Sequence, residues 1–248
     1  MKSHRLLAFL LISSLVFYVI ASAMYDIFLI RLSRVILLPS IILWYLNREK
    51  LISWSFVSFL IFSLIGHCFL LALNLGLTDI FGWTVLFYSI GTISLLLSIV
   101  PYLDFSKLKS VANIFVMILV VFSVYLMYST ILSMSSRLLA IDIFFLVVYG
   151  ISLVAVGLGS IMYYLLSGSN KSMLMLIGVV ALILADLIGG IEMYYFSHFM
   201  LIVLTRAFYI LALVALYYYA ISIEVPKFDS ILIEEDERIT SNDDGPTS

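Results

Sequence analysis

The chain is a succession of long apolar stretches separated by short polar breaks. Eight runs can be counted, at residues 6–24, 35–46, 51–73, 80–100, 111–134, 138–166, 173–196 and 199–223. Most contain enough residues to cross about 30 Å of hydrocarbon, since an α-helix rises about 1.5 Å per residue. The pattern predicts an all-α membrane protein, a bundle of about eight transmembrane helices.

The second run is the shortest, and its start is open to two interpretations. Counted from the apolar residues alone it begins at Val35, which leaves Arg31 and Arg34 in the loop before it. A start near Ile27 would give the run the length of its neighbours, and it would bring both arginines into the membrane edge.

Composition supports a membrane protein with one polar appendage. Hydrophobic residues make up 64% of the chain and charged residues 11%, with a mean hydropathy of +1.21, which lies outside the soluble range. Residues 1–223 are predicted to form one helical membrane domain. Residues 224–248 carry eight acids and two bases, a net −6, and are expected to be a disordered cytoplasmic tail.

Lysines and arginines predict the orientation in the bilayer. With a cytoplasmic N-terminus, nine of them fall on the cytoplasmic side and three on the other, and Arg206 lies within a span. This positive-inside bias places both termini in the cytoplasm. The first run also has the features of a signal peptide, with Lys2 and Arg5 before it and Ala21-Ser22-Ala23 at its end. Cleavage would leave seven spans, and both alternatives stay open.

Five ionisable residues lie inside the apolar runs. The predicted spans and orientation place all of them in the outer leaflet. They are His67, Asp142, Asp186, Glu192 and Arg206. Counted from the outer edge, Asp186 is deepest at about 15 Å, Arg206 and His67 lie at about 10 Å, and the other two at about 6 Å. Charged groups in hydrocarbon are costly and usually line an interior site. We therefore expect a basin that opens outward, with Arg31 and Arg34 above it.

The seventh run suggests how the helix around Asp186, the deepest acid, packs against its neighbours. Small residues recur at spacings of three and four, which permits close approach of a neighbouring helix; they are Gly178, Ala181, Ala185 and Gly189. Gly189 and Gly190 leave room above Asp186, and Arg206 is its expected partner. Two roles remain open for Asp186, a residue of a lined pocket or one half of a buried ion pair that only fixes helix register.

His67 allows a similar choice. Gly66 reduces the bulk beside it, and histidine can act as an acid or a base near neutral pH. It is either a site residue or a histidine that only hydrogen-bonds a neighbouring helix. The chain has no paired metal-ligand spacing, no phosphate-binding glycine loop and no nucleophile elbow. Neither a metal nor an organic cofactor is expected, and the dispersed basic residues give no basis for nucleic-acid binding.

Three segments resemble the YhhN family of integral membrane proteins, which includes the lysoplasmalogenases. Residues 62–73 resemble its F-S-L-x-G-D-x-x-L motif, residues 177–186 its second motif ending in S-D, and residues 206–212 the start of its last helix. Arg34 and Pro39 stand where the family has a Lys-Pro element. The chain departs from the pattern twice, with His67 in place of the first Asp and Ala185 in place of the Ser.

The resemblance implies a lipid hydrolase that cleaves the vinyl ether bond of a lysoplasmalogen and releases a fatty aldehyde and a glycerophospho-alcohol. Its substrate would be a single-chain phospholipid taken from the bilayer. Asp186 and His67 would be catalytic, and five residues would bind the substrate: Arg206, Arg34, Arg31, Asp142 and Glu192. Because His67 replaces an acid, a second hypothesis stays open, a non-catalytic relative or a small lipid-binding or transport protein. No pattern in the sequence fixes an oligomeric state.

Overall fold

The fold comes from a computed structural model of the chain. It describes residues 2–24, 26–48, 52–73, 80–103, 117–118, 120–121, 124–125, 128–129, 139–194 and 198–222. The helices are α1 (Lys2–Ala23), α2 (Ile27–Arg48), α3 (Trp54–Leu73), α4 (Phe81–Ile99), α5 (Ala140–Ser167), α6 (Asn170–Tyr194) and α7 (Phe199–Ile221). A short 3₁₀ turn, Val100–Tyr102, follows α4.

Six of the described helices, α2 to α7, are long and apolar enough to cross a membrane. The apolar part of α1, Leu7–Ala21, is shorter. The predicted fifth run at 111–134 lies largely outside the described residues, and the predicted tail at 224–248 lies wholly outside them. The predicted all-helical architecture is confirmed in the described residues, six of whose helices could span a membrane, and the predicted count of eight is not supported by them.

Helix α2 begins at Ile27, which confirms the longer of the two interpretations of the second run and rejects the start at Val35. Asp26 caps it: one carboxylate oxygen accepts from the backbone N–H of Phe28 at 2.8 Å and of Leu29 at 3.2 Å. Such a cap satisfies N–H groups that the first helical turn leaves without a partner. Arg31 and Arg34 therefore lie on the helix, about 6 and 10 Å below its start, and not in a loop above the site.

The helices pack in chain order, each against the next, and α7 returns to contact α1 and α3. Their directions follow from single contacts. Asp142, at the start of α5, lies 2.8 Å from the position of a Cβ on Gly82, near the start of α4. Gly159 lies equally close to Ile99 at the end of α4. Helices α4 and α5 are therefore parallel.

The bundle has two distinguishable ends, which we call upper and lower. At the upper end α2, α4, α5 and α7 begin and α1, α3 and α6 end. One of the contacts that show this is the bond from Arg31 Nη1 to the carbonyl of Leu70, at 2.9 Å. At the lower end Trp44 Nε1 donates to the hydroxyl of Tyr217 at 3.1 Å, which joins the ends of α2 and α7.

The apolar core lies mainly in the lower half. Leu38, Leu60, Met175 and Leu216 are completely buried there. A Cβ added to Gly178 would lie 2.8 Å from Leu216 Cγ, so α6 and α7 pack as closely as the small-residue spacing predicts. This tight pair fixes α6 and α7 below the polar residues of the upper half.

Candidate functional site

The predicted polar level is present in the structure. His67 lies about 9 Å below the upper end of its helix, Arg206 and Arg34 about 10 Å, and Asp186 about 12 Å. These four residues come from α3, α7, α2 and α6. Arg34, Arg31 and Arg206 are near enough to His67 for their charges to act on it.

His67 ties three helices together. It is buried, with 3% of its surface exposed. Its Nδ1 lies 2.7 Å from the hydroxyl of Tyr88 on α4, and its Nε2 lies 3.2 Å from the hydroxyl of Tyr209 on α7. Both rings stand edge-on to the imidazole. We call these three residues the histidine–tyrosine chain.

Gly66 makes this arrangement possible. A Cβ at that position would lie 2.5 Å from Cε1 of Tyr88, closer than any side chain could tolerate. The predicted reduction in bulk beside His67 is thus confirmed, and the ring of Tyr88 uses the space. Any larger residue at position 66 would move the hydroxyl of Tyr88 away from His67.

Asp186 has a different partner from the one expected. Its Oδ2 accepts a hydrogen bond from the hydroxyl of Tyr149 on α5. The rings of Tyr149 and Tyr88 lie 6.3 Å apart, so this acid adjoins the histidine–tyrosine chain. The predicted open space is present beside Gly190, where an added Cβ would meet nothing within 4 Å, but not beside Gly189, where it would lie 3.4 Å from Cγ2 of Thr205.

Arg206 pairs with Glu192 and not with Asp186, which corrects the predicted pairing. The distance from its Nη2 to Glu192 Oε1 is 3.9 Å, and the two side chains are 14% and 16% exposed. Equal depth did not determine the partner, because Asp186 and Glu192 are six residues apart on α6. At about 100° per residue they point about 120° away from each other.

Arg34 lies within the site. Its guanidinium carbon is 4.6 Å from the centre of the Tyr209 ring, a cation–π contact. The hydroxyl of Tyr18 on α1 lies beside both Arg34 and Arg206. Tyr18 and Tyr209 are themselves neighbours, with ring centres 6.3 Å apart. The polar level therefore reaches from α1 across to α5.

Two predicted binding residues lie at its margin. Arg31 donates to the carbonyl of Leu70 and so ties α2 to α3. Asp142 lies in the first turn of α5 against Gly82, about 10 Å along the helix from Tyr149. The structure places Asp142 at the rim and away from the Asp186 carboxylate.

Four tyrosines of the site were missed by reasoning from the sequence. They are Tyr18, Tyr88, Tyr149 and Tyr209. A signal was present, since each lies several residues inside an apolar run and not at its border. A buried tyrosine hydroxyl usually needs a polar partner, and such positions point to a polar neighbour within the bundle.

The site offers proton carriers and cations. Among the residues that the structure describes, no group of three or more His, Cys, Asp or Glu is arranged to hold a metal ion. What the polar level provides is one histidine between two hydroxyls, one acid bonded to a hydroxyl, and arginines close by. Comparison of the chain with protein-family models, with curated proteins and with solved structures finds no match in any of the three.

Proposed function

We propose that the protein is a membrane-embedded hydrolase that cleaves the vinyl ether bond of a lysoplasmalogen-type lipid. The observation that carries the proposal is the Asp186–Tyr149 pair, placed at one level with His67 and with two arginines of the upper half. The resemblance to the YhhN motifs adds the substrate class. The substrate would be a single-chain phospholipid that enters from the bilayer.

The chemistry needs a proton donor and a water molecule. Asp186 transfers a proton to the β-carbon of the vinyl ether, and the positive charge that forms is shared between the α-carbon and the ether oxygen. Tyr149 holds Oδ2, so the transferable proton sits on Oδ1. Water then adds to the α-carbon and returns a proton to the site. The hemiacetal breaks down to a fatty aldehyde and a glycerophospho-alcohol.

His67 would act on the water. Its ring is held between Tyr88 and Tyr209, so its orientation is fixed before the substrate arrives. Because each ring nitrogen is bonded to a tyrosine hydroxyl, the water would give its proton to one of these hydroxyls, which passes its own proton to His67 as general base. Unlike the Asp of the family motif it carries no negative charge, and it would not stabilise the cationic intermediate. We therefore expect slower turnover from His67 than from an Asp at this position.

A second candidate function is lipid binding or transport without catalysis. It is favoured by the pairing of every ionisable group that was predicted to react: His67 with two tyrosines, Asp186 with Tyr149, and Arg206 with Glu192. Paired groups can hold a bundle together without doing chemistry. The replacement of the motif Asp by His67 points in the same direction.

We also propose eight spans with both termini in the cytoplasm, which puts the upper end on the outer face. The parallel direction of α4 and α5 supports the proposal that the apolar run between them is a further span. The excess of lysine and arginine at the lower end supports the orientation. Reporter fusions after Lys171 should report the cytoplasm, and a reporter that is active outside would reject this topology.

Turnover by the purified full-length protein decides between the two functions. A lysoplasmalogen should release a fatty aldehyde, whereas the saturated ether of the same chain length should stay intact. The variant His67→Asp should hydrolyse at least as fast as the parent, since it restores the second carboxylate. If neither protein releases aldehyde while both remain folded and bind the lipid, the non-catalytic function replaces the hydrolase.

A further inference from the structure

Three arginines, Arg31, Arg34 and Arg206, lie in the upper half of the bundle. Arg31 donates to the carbonyl of Leu70, and Arg206 lies 3.9 Å from Glu192. A charge inside a membrane protein is costly unless an opposite charge or a polar group compensates for it.

Two of these arginines also have donors without an acceptor. The Nε atoms of Arg34 and Arg206 are buried, and neither has a hydrogen-bond partner in the described part of the chain. Buried polar atoms are nearly always satisfied, so each exception calls for a missing partner. The cation–π contact with Tyr209 stabilises the charge of Arg34 but provides no acceptor for its Nε.

The two guanidinium groups come from different helices and share one neighbour. Arg34 belongs to α2 and Arg206 to α7, and the hydroxyl of Tyr18 lies beside both. Both lie about 10 Å below the start of their helices. Glu192, at 3.9 Å from Nη2 of Arg206, leaves the Nε edge of that arginine unoccupied.

We infer that Arg34 and Arg206 together bind a phosphate-type oxyanion. A phosphodiester carries one negative charge and two unsubstituted oxygens, and these two oxygens match the two unsatisfied donors. Arginine is well suited to this geometry, because its planar fork donates two hydrogen bonds to one oxyanion. The identity of the ligand as a lipid head group rests on the proposed function. Inorganic phosphate is also an oxyanion that accepts hydrogen bonds from arginine, so it is tested separately.

The test measures binding without turnover. Purified full-length protein in neutral detergent is titrated with 1-O-alkyl lysophosphocholine, which has no vinyl bond to hydrolyse, with a monoacylglycerol of equal chain length, and with inorganic phosphate. We expect the phosphate-containing lipid to bind at least about tenfold more tightly than the monoacylglycerol, as charge-assisted hydrogen bonds allow.

Single-charge variants locate the site. Arg34→Gln and Arg206→Gln should each weaken binding of the lysophosphocholine about 10- to 100-fold. Arg31→Gln is the matched control: it removes the same charge one turn away on α2, but Arg31 donates to a backbone carbonyl. Its effect should stay below about threefold, as expected of a charge that does not contact the ligand.

The outcomes separate this inference from the proposed hydrolysis. Equal binding of the monoacylglycerol and the lysophosphocholine by the parent protein overturns the oxyanion site, even if a variant fails to fold. Equal losses in all three variants overturn its location. Phosphate binding that depends on Arg34 and Arg206, without lipid binding, supports the oxyanion site and rejects the lipid as its source. If the protein binds lysophosphocholine as expected but releases no aldehyde from a lysoplasmalogen, only the proposed hydrolase is rejected.

Discussion

The two ends of the bundle hold polar side chains in different ways. At the lower end two hydrogen bonds join neutral groups: Trp44 donates to Tyr217, and the hydroxyls of Ser98 and Tyr219 lie 3.0 Å apart. The charge nearby, on Lys171, lies over the rings of Tyr102 and Tyr219. At the upper level the groups are ionisable and come from many helices. His67 joins α3, α4 and α7, while Asp186 joins α6 to α5.

The difference shows that polar content alone does not mark a site in this fold. A hydroxyl inside a helix can bond to its own backbone, as Ser89 does to the carbonyl of Val85 and Thr92 to that of Tyr88, at 2.9 and 2.8 Å. Such groups are satisfied locally and need no neighbour. His67 and Asp186 instead bond to side chains of other helices.

The largest expected effect separates chemistry from packing. Asp186→Asn keeps the shape of the side chain and its bond to Tyr149 but removes the transferable proton, and turnover should fall by about 10²-fold or more. Folding should survive, because a neutral amide is cheaper to bury than a carboxylate. The assay is aldehyde release from a lysoplasmalogen by protein of verified thermal stability.

The control for this prediction lies at the lower end. Ser98→Ala also removes a cross-helix polar contact, and its turnover per folded molecule should equal that of the parent. Full hydrolysis by Asp186→Asn would show that another group supplies the proton. An equal loss in both variants would show that the two ends of the bundle do not differ in function.

The next prediction compares the same Gly→Ala change at three positions of the bundle. Gly66→Ala would push its Cβ into the ring of Tyr88, at an overpacking cost of about 1–3 kcal/mol, and turnover should fall. Gly178→Ala meets Leu216 in the lower half, so it should lower the melting temperature without changing turnover per folded molecule. Gly190→Ala meets nothing within 4 Å and should change neither. A loss of turnover in Gly178→Ala equal to that in Gly66→Ala would contradict the separation.

The smallest expected effect compares single hydroxyl groups. Tyr88→Phe and Tyr219→Phe each remove one hydroxyl and should each reduce stability by about 0.5–1.5 kcal/mol. Only Tyr88→Phe should also lower kcat, because its hydroxyl bonds to His67 and that of Tyr219 bonds to Ser98. Thermal unfolding and steady-state kinetics on the same preparations measure both quantities. Unchanged kcat in Tyr88→Phe would remove this tyrosine from the mechanism.

The sequence predicted the helices well where apolar runs end at polar residues. The end of α3 at Leu73 and the start of α7 at Phe199 match the predicted bounds. For α2, the count of apolar residues stops at Arg34 and gives the wrong start at Val35, whereas the alternative start near Ile27 is the one observed. Both arginines lie within the helix, where Arg34 makes a cation–π contact with Tyr209 and Arg31 donates a hydrogen bond to the carbonyl of Leu70. Such partners come from distant parts of the chain, so the run itself gives no sign of them.

The sequence predicted the depth of the site residues in the bundle, but not which way each side chain points around its helix. Helical rise placed His67, Asp186 and Arg206 near one level, and the structure agrees. Partners depend on the direction in which each side chain points, and this is set by how the helices rotate as they pack. That is why Arg206 faces Glu192, and why Tyr149 is the partner of Asp186.

The histidine–tyrosine chain has a further consequence. A neutral imidazole carries one N–H, so His67 donates to one tyrosine hydroxyl and accepts from the other. The chain therefore has a direction, either from α4 towards α7 or the reverse. Reversing it requires the hydrogens of Tyr88, His67 and Tyr209 to move together, while every heavy atom stays in place. The same heavy-atom arrangement thus accommodates two hydrogen arrangements, and passing from one to the other adds a proton at one tyrosine and releases one at the other.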